Sequence, residues 1–253
     1  MKVIILAGGF GSRLSEYTEA IPKPMVKIGN KPILFHLMKY YYKFGFKDFI
    51  IALGYKSEII KDYFLNYSAL NSSFTINLEN NDIEIHDNIK LDWKVTLVDT
   101  GLNTMTGGRL LRLKDHVGKK DFMLTYGDGL SNIDLSKLIE FHNENRKIVT
   151  VSAVRPVARF GELNIESGSV KSFQEKPQIS DGWINGGFFV MNPKILNYID
   201  NDSTILEKEP LEKMVSMNEL SAYKHSGFWQ CMDTKRDKDR LEEIYNSGSV
   251  PWL

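Results

Sequence analysis

The fold of this chain is decided by the stretch VIILAGGFGSRL, which runs from Val3 to Leu14. Its first four residues, Val3 to Leu6, are all apolar, and a short apolar run of this kind predicts a strand that is buried on both faces. Glycines occupy three of the next five positions and end the strand at once. A buried strand that runs into a glycine-rich turn is typical of α/β proteins, which bind ligands at the carboxyl ends of such strands.

The same alternation of apolar runs and helical patterns continues as far as residue 154. Further buried strands are predicted at 48–53, 94–98, 121–126 and 148–154. Helices are predicted between them at about 31–44, 57–67, 107–116 and 134–145, with Pro32 in the first helical turn. Continuous apolar strands that alternate with helices indicate parallel βαβ units.

The rest of the chain is patterned differently. Closely spaced strands are predicted at 161–166, 169–174, 183–191 and 221–225, so part of the sheet is expected to be mixed. Helices are predicted at 193–200, 209–217 and 234–246. We therefore predict one α/β domain over residues 1–253, with a mixed, mostly parallel sheet, a hairpin-bearing insertion at 71–92 and a C-terminal α+β elaboration from about residue 193.

The composition excludes several functional classes. The chain has 253 residues, 42% of them hydrophobic, and 32 Lys and Arg side chains balance 32 Asp and Glu side chains. Disordered chains combine low hydrophobicity with high net charge, and nucleic-acid-binding proteins usually carry a basic surplus. No apolar run reaches the roughly 18 residues of a membrane helix, and the single cysteine, Cys231, cannot form an intrachain disulfide. We expect a cytoplasmic protein that binds neither nucleic acid nor a membrane.

The glycine-rich turn predicts an anion site, because successive backbone N–H groups in such a turn can surround a phosphate. It is not a P-loop, since no Lys-Ser or Lys-Thr pair follows Gly11, and it is not a dinucleotide fingerprint, since position 14 is Leu14. The alternative is a plain strand-to-loop transition with a solvated Arg13. The glycines alone do not decide between the two.

Lys23 lies between Pro22 and Pro24, ten residues after Arg13. The two prolines fix the backbone on both sides of the lysine. A rigid backbone suits a lysine that is aimed at a phosphate, which supports the anion site. The alternative is a proline-braced connection whose lysine is exposed.

Two aspartates follow predicted apolar strands: Asp128 comes after 123–126, and Asp233 comes after 228–232. One or two carboxylates, together with phosphate oxygens, are what Mg²⁺ prefers in proteins. The alternative for each aspartate is a helix N-cap, and spacing alone leaves the two interpretations equal. The five histidines are scattered and show no metal-ligand spacing.

Further motifs accompany these residues: DTG at 99–101, MTGGRL at 105–110, TYGDG at 125–129, FQEKP at 173–177, INGGFF at 184–189 and GFWQCMDT at 227–234. With the glycine turn and PKPM at 22–25, they resemble the sugar-1-phosphate nucleotidyltransferases over nearly the whole chain. MTGGR and INGGFF resemble the branch of that family that uses CTP. One departure is Ser12, where Thr is common in the family, and there the hydroxyl is retained.

The resemblance implies a three-layer, Rossmann-like fold and an Mg²⁺-dependent reaction. CMP would pass from CTP to α-D-glucose 1-phosphate, giving CDP-glucose and pyrophosphate for dideoxysugar and O-antigen biosynthesis. The sugar phosphate carries its own negative charge, since its second pKa is about 6. Such a reaction therefore needs no Ser, Cys or His nucleophile and no general base, and it depends on positioning and charge neutralisation.

Positions that match the family's motifs are implied to form the site. The implied catalytic residues are Arg13, Lys23, Asp128 and Asp233, and the two aspartates would hold the metal ion. The implied nucleotide-binding residues are Leu6, Ala7, Gly8, Gly9, Gly11, Ser12, Arg13, Lys23, Thr104, Arg109 and Gly127. The implied sugar-phosphate residues are Tyr126, Glu175, Lys176, Asn185 and Gly186.

Two expectations concern charge. Arg109 lies in the first turn of a predicted helix, where a cation is poorly placed for the helix dipole, and this favours a ligand contact over a solvated side chain. Because the chain has no positive surplus, we expect its positive charge to be concentrated in the cleft, on Arg13, Lys23, Arg109, Lys176 and the metal ion.

Two alternatives to this function stay open. A sister enzyme of the family would use UTP, dTTP or GTP, or another sugar phosphate. A catalytically inactive, nucleotide-sugar-sensing subunit would be expected to lack Arg13, Lys23 or an acidic metal ligand. The resemblance also implies a homo-oligomer, often a hexamer, with 71–92 as the candidate contact segment.

Overall fold

The computed structural model describes residues 1–87, 91–156, 162–167, 169–174 and 182–253. Its strands are β1 (Val3–Leu6), β2 (Lys27–Ile28), β3 (Lys31–Pro32), β4 (Asp48–Leu53), β5 (Phe74–Asn77), β6 (Asp82–Ile85), β7 (Lys94–Asp99), β8 (Phe122–Tyr126), β9 (Gly129–Ser131), β10 (Val149–Val154), β11 (Glu162–Glu166), β12 (Ser169–Gln174), β13 (Ile184–Met191), β14 (Leu220–His225) and β15 (Trp229–Cys231). Its α-helices are α1 (Ser15–Thr18), α2 (Ile33–Lys43), α3 (Ser57–Leu65), α4 (Tyr67–Leu70), α5 (Thr106–Arg112), α6 (Lys114–Val117), α7 (Leu135–Asn145), α8 (Glu209–Ser216) and α9 (Lys235–Asn246). Its 3₁₀-helices are Ser12–Leu14, Lys23–Met25 and Pro193–Tyr198.

Seven strands form one central sheet in the order β14–β10–β13–β8–β1–β4–β7. Strand β1 pairs in parallel with β4 and with β8, β4 pairs in parallel with β7, and β10 pairs in parallel with β14. Strand β13 runs antiparallel to both of its neighbours, β10 and β8. The mixed, mostly parallel α/β sheet that the sequence predicts is therefore confirmed.

The sheet is covered on both faces, which gives the three layers. Because side chains alternate along a strand, Val3 and Ile5 of β1 pack into one apolar cluster, and Ile4 and Leu6 pack into a second cluster on the opposite face. The first cluster takes side chains from α2, α3, α7 and α9. The second takes side chains from α5, from α8 and from the 3₁₀-helix at Pro193–Tyr198. The apolar run at 3–6 is thus fully buried between two helical layers.

Several element boundaries differ from the sequence prediction. Pro32 belongs to β3 and precedes α2, so it caps the helix and does not form its first turn. The helix predicted at 107–116 is divided into α5 and α6 at Leu113. The helix predicted at 193–200 is a 3₁₀-helix of six residues, a form that is common in short connectors.

Short strand pairs complete the described part of the chain: β2 with β3, β5 with β6, β9 with β15, and β11 with β12. The β5–β6 pair is the hairpin that was predicted within 71–92. The β9–β15 pair was not predicted, and it positions part of the site. No helix among the described residues is both long and apolar enough to cross a membrane.

Candidate active site

A cleft of about 700 Å³ lies at the carboxyl ends of β1, β7 and β8. It is lined by Leu6, Ala7, Gly8, Gly9, Phe10, Gly11, Ser12, Arg13, Lys23, Pro24, Leu102, Asn103, Thr104, Met105, Thr106, Arg109, Tyr126, Gly127, Asp128, Glu207, Trp229, Cys231 and Asp233. The edge formed by the carboxyl ends of parallel strands is where α/β proteins bind ligands. All four residues implied to be catalytic and every residue implied to bind the nucleotide line this one cleft.

The two aspartates are brought together by the short β9–β15 pair. In that pair Gly129 lies opposite Cys231, and the backbone N–H of Met232 donates to the carbonyl of Asp128 at 2.9 Å. Asp128 precedes the first of these strands, and Asp233 lies two residues after the second. The pairing therefore holds both carboxylates at the same end of the ladder.

Lys23 is the cation between these two carboxylates. Its Nζ atom donates to Oδ2 of Asp128 at 2.5 Å and to Oδ1 of Asp233 at 2.6 Å. Burial of Lys23 opposes its charged form, but attraction to Asp128 and the hydrogen bonds to both carboxylates outweigh burial, so the pKa of Lys23 is raised. The side chain is buried, and the alternative of an exposed lysine is wrong.

Neither aspartate is a helix N-cap. Helix α9 is capped by Thr234, which forms a capping box with Asp237. The carboxylate of Asp233 instead contacts Lys23 and Arg13. Asp128 is followed by a strand, so it has no helix to cap. The structure therefore removes the N-cap alternative for both residues.

Arg13 reaches the same cluster from the glycine turn. Its Nη1 atom lies 2.7 Å from Oδ2 of Asp233, and 70% of its side chain is exposed. Gly11 caps the 3₁₀-helix Ser12–Leu14 with φ +65°, and a Cβ atom there would lie 2.8 Å from Cγ2 of Thr18. A side chain at this position would be both strained and crowded. The glycine therefore fixes the turn that carries Arg13.

The donor set fits a divalent cation of the Mg²⁺ type. Two carboxylates converge on one positive group, and Mg²⁺ takes one or two carboxylates and completes its shell with phosphate oxygens and water. Among the described residues no three His, Cys, Asp or Glu side chains form a metal cluster. Asp128 and Asp233 would therefore share the ion with phosphate oxygens and water.

Arg109 lines the cleft, and its guanidinium bonds to the protein. It is buried, and its guanidinium donates to the backbone carbonyls of Gly8, Leu53, Gly101 and Leu102 and to the hydroxyl of Thr100. Desolvation lowers the pKa of Arg109. The side chain is therefore not solvated, and its terminal nitrogens bond to the loops that line the cleft.

Tyr126 is another lining residue of the cleft, and its hydroxyl is held by hydrogen bonds. Its hydroxyl donates to Oε1 of Glu207 at 2.5 Å, and the hydroxyl of Thr106 donates to Oε2 of the same carboxylate at 2.6 Å. The amide Nδ2 of Asn185 donates to the Tyr126 hydroxyl at 3.3 Å. Burial, and then the Glu207 charge, raise the pKa of Tyr126 well above its ordinary value. This hydroxyl therefore stays protonated as a fixed donor.

The predicted sugar-phosphate residues are only partly described. Asn185 is exposed beside Tyr126, and the carbonyl of Gly186 accepts from Nε1 of Trp229 at 2.7 Å. Glu175 and Lys176 lie outside the described residues. Through these bonds Asn185 and Gly186 contact Tyr126 and Trp229, two residues of the cleft lining.

Sequence reasoning missed several cleft residues. Glu207 lies in no recognisable motif, and only the tertiary contact of its loop with α5 brings it to the cleft. Phe10, Leu102 and Met105 are exposed apolar side chains in the cleft lining, each close to half exposed. An aromatic residue inside a glycine turn was a signal that could have identified Phe10.

The charge expected in the cleft is described only in part, because Lys176 lies outside the described residues. Three cations, Arg13, Lys23 and Arg109, line it, but so do three carboxylates, Asp128, Glu207 and Asp233. The formal charges of the described lining are therefore balanced, and the lining is not cationic.

The cleft also contains the thiol of Cys231. Burial raises the pKa of this thiol to about 12, so at neutral pH it offers no thiolate nucleophile.

Comparisons with known proteins agree with this geometry. Residues 2–234 match the family described as nucleotidyl transferase. Over its full length the chain is 51% identical to a glucose-1-phosphate cytidylyltransferase of Salmonella typhi and covers 98% of that protein. It is also 44% identical over its full length to a probable glucose-1-phosphate cytidylyltransferase of Bacillus subtilis, of which it covers 99%.

A solved structure extends the agreement to the fold. HddC from Yersinia pseudotuberculosis, crystallised in complex with GMP-PN, is 26% identical to this chain, with a TM-score of 0.71. The alignment covers 96% of this chain and 99% of HddC. With the sequence matches, the shared fold and the position of the cleft in agreement, the chain belongs to the nucleotidyl transferase family.

Proposed function

We propose that this chain is an Mg²⁺-dependent glucose-1-phosphate cytidylyltransferase, which makes CDP-glucose and pyrophosphate from CTP and α-D-glucose 1-phosphate. The observation that carries the proposal is the convergence of Lys23 and Arg13 on the carboxylates of Asp128 and Asp233, next to a glycine-rich turn. The names of the relatives that match the full chain support the choice of substrates.

The chemistry requires little from protein acids and bases. A phosphate oxygen of glucose 1-phosphate forms a bond to the α-phosphorus of CTP, and the bond from that phosphorus to the bridging oxygen breaks in line. The electron pair leaves with pyrophosphate. Because the second pKa of a phosphate monoester is about 6, the nucleophile is already ionised at neutral pH.

The site must bring two anions together. Enzymes of this family generally use a divalent metal ion, and Asp128 and Asp233 would hold Mg²⁺, which supplies positive charge to the triphosphate and the leaving pyrophosphate. Arg13, whose exposed side chain lines the cleft, is suited to a bidentate hold on the triphosphate. Lys23 is a compact charge that can move from the carboxylates to a phosphate oxygen.

The lining offers apolar and polar contacts to the two substrates. Phe10, Leu102 and Met105 are exposed apolar side chains of the lining and are proposed to pack on the pyrimidine base. Tyr126, which accepts a hydrogen bond from Asn185, is proposed to contact the sugar. The roles of Glu175 and Lys176 toward the glucose and its phosphate rest on the family resemblance.

The alternative of an inactive sensing subunit is disfavoured by the site itself. Such a subunit would be expected to lack part of the charged cluster, yet Arg13, Lys23, Asp128 and Asp233 are all present and in contact. A sister enzyme with another nucleotide keeps the same cluster. The base specificity therefore has to be measured.

We also propose that the chain assembles into a homo-oligomer through the hairpin within 71–92. In the β5–β6 pair Phe74 lies opposite Ile85, and Ile76 lies opposite Ile83. Cross-strand partners share a face, so these four apolar side chains form one face of the hairpin, and all four are exposed. Light scattering should show an oligomer that Ile76→Lys together with Ile83→Lys dissociates; a monomeric native protein would contradict this.

The remaining features of the proposal concern the whole chain. The full-length coverage of the relatives supports residues 1–253 as one catalytic unit, with 71–92 as an insertion and an elaboration from about residue 193. We assign the enzyme to the cytoplasm, where the free thiol of Cys231 suits a reducing environment. Its product would serve dideoxysugar and O-antigen biosynthesis.

The reaction is tested by incubating the protein with CTP, glucose 1-phosphate and Mg²⁺. We expect CDP-glucose by mass spectrometry, pyrophosphate in equal amount, and loss of both on chelation with EDTA. Product formation that continues unchanged in EDTA would contradict the metal assignment. Absence of CDP-glucose would contradict the function.

A further inference from the structure

The guanidinium of Arg109 joins the ends of three adjacent parallel strands. Its Nη2 atom donates to the carbonyl of Gly8, after β1, at 2.9 Å. Its Nη1 atom donates to the carbonyl of Leu53, the last residue of β4, at 3.0 Å, and to that of Gly101, after β7, at 2.7 Å. The same two nitrogens also reach the hydroxyl of Thr100 at 2.8 Å and the carbonyl of Leu102 at 3.2 Å. Both terminal nitrogens are thus fully engaged by protein acceptors.

The Arg109 side chain occupies the space where a Cβ atom of residue 8 would lie, and this explains why that residue is a glycine. The sequence alone did not reveal this. A Cβ atom on Gly8 would lie 2.2 Å from Nη1 and 2.5 Å from Cζ of Arg109, and within 4 Å its three nearest atoms all belong to that side chain. A Cβ atom on Gly54 would also lie 2.4 Å from Nη1. The second glycine of the turn, Gly9, has open space around it. Gly8 therefore makes room for Arg109, whereas Gly9 leaves room for a ligand.

The turn is held from its other side as well. The backbone N–H of Tyr55 donates to the carbonyl of Gly8 at 3.0 Å, and the Tyr55 ring packs against Phe10 at a centroid distance of 5.3 Å. The Gly8 carbonyl thus accepts from both Tyr55 and Arg109. Among the described residues no carboxylate forms an ion pair with Arg109, so its bonding partners are the backbone of the cleft loops and one hydroxyl.

We propose that Arg109 is a positioning residue, which fixes the glycine turn at residues 8–13 in the shape that receives the nucleotide phosphates, and that it does so without contacting them. A turn that is already shaped costs nothing to order when the ligand arrives. The kinetic part of this inference rests on the proposed function. Its structural part does not, because the order of the turn can be measured in the protein alone.

The test compares Arg109→Lys and Arg109→Ala with the native protein. Lysine keeps the charge but cannot span acceptors on three loops from one nitrogen. We expect faster hydrogen exchange at the amides of Tyr55 and Leu14, a specificity constant for CTP lowered by about 100-fold, and a KM for glucose 1-phosphate within about 3-fold of native. If the Arg109 variants fail to fold, Thr100→Val, which removes one acceptor, replaces them as a milder test. We expect it to change the exchange rates and the CTP kinetics in the same direction, but by less.

Arg112 supplies the matched control. It lies one turn further along α5, is exposed, and pairs with Asp202 through two hydrogen bonds of 2.8 and 2.5 Å. Arg112→Lys should leave both the exchange rates of the turn and the CTP kinetics unchanged. If Arg112→Lys reproduced the Arg109 phenotype, the effect would belong to the helix in general, and the inference would be overturned.

A double-mutant cycle tests whether Gly8 is needed to make room for Arg109 or to make room for a ligand. Gly8→Ala alone should be severely impaired, but Gly8→Ala combined with Arg109→Ala should be no worse than Arg109→Ala, because the clash is gone. A double variant clearly worse than Arg109→Ala would show that Gly8 faces the ligand. Native exchange rates in Arg109→Ala with lost CTP affinity would show a direct contact. Either result overturns the inference. If the native protein did not use CTP, the proposed function would be wrong. The hydrogen-exchange rates would still test whether Arg109 positions the glycine turn.

Discussion

The Nζ atom of Lys23 lies 2.5 Å from Oδ2 of Asp128, although 105 residues separate the two in the chain. The same ammonium reaches Asp233 at 2.6 Å, across 210 residues. These contacts collect two carboxylates around one positive group inside a cleft whose described lining has as many carboxylates as cations. Because the described lining carries no net positive charge, a bound Mg²⁺ ion would supply part of the attraction for the two anionic substrates.

The first prediction concerns Asp128→Asn. The amide keeps the size of the side chain and one oxygen for Lys23, but it loses the charge that would hold Mg²⁺. We expect turnover at saturating Mg²⁺ to fall by about 100-fold or more, with native circular dichroism and a somewhat lower thermal midpoint, because the buried Lys23 loses one of its two paired charges. Asp92→Asn is the matched control, because Asp92 pairs with Lys47 on the surface. Near-native turnover of a folded Asp128→Asn protein would refute the ligand assignment.

The second prediction concerns Glu207→Gln. Both oxygens of Glu207 accept hydrogen bonds, from Tyr126 and Thr106, and glutamine turns one acceptor into a donor. Loss of one hydrogen bond to a charged group costs about 1.5–3 kcal/mol, so we expect the specificity constant for glucose 1-phosphate to fall by about 10-fold or more. Glu209→Gln, an exposed change two residues away, should be neutral. The two variants would behave alike if Glu207 had no part in positioning Tyr126.

The third prediction concerns stability in mild acid. His36 is buried, its ring bonds to the carbonyl of Ile28 at 2.8 Å, and its Nδ1 atom lies 3.3 Å from Nε1 of Trp252. Burial lowers the pKa of His36 in the folded protein. The unfolded chain, with a pKa near 6.5, therefore takes up the proton first, so the stabilisation is complete above about pH 6.5 and is lost as the pH falls.

Thermal melting at pH 7.5 and pH 5.5 checks this prediction. We expect a lower midpoint at pH 5.5, by about 2–4 °C for each kcal/mol lost, and a smaller pH dependence in His36→Gln. His116→Gln is the control, because His116 is exposed. His142 and His225 also have lowered pKa values through burial, so some dependence should remain. Equal midpoints at the two pH values would contradict the assignment of His36 as a buried neutral group.

Local pattern was enough to predict the sheet and much of the cleft. The apolar run before the glycine turn, the prolines around Lys23 and the glycines around Asp128 are all contiguous signals, and the structure places them at one edge of the sheet. The pairing of β9 with β15 was not predictable, since these strands have three residues each and lie about 100 residues apart. Glu207 and the bonds of Arg109 depend on loops that meet only in the folded chain.

The nucleotide preference of the protein decides whether it is a cytidylyltransferase. Pyrophosphate release is measured with glucose 1-phosphate and Mg²⁺, with CTP, UTP, dTTP and GTP each supplied at the same limiting concentration. We expect CTP to be used at least about 10-fold faster than any other nucleotide, as follows when one hydrogen bond of about 1.4 kcal/mol selects the base. Equal rates with UTP and CTP, or a preference for another nucleotide, would contradict it.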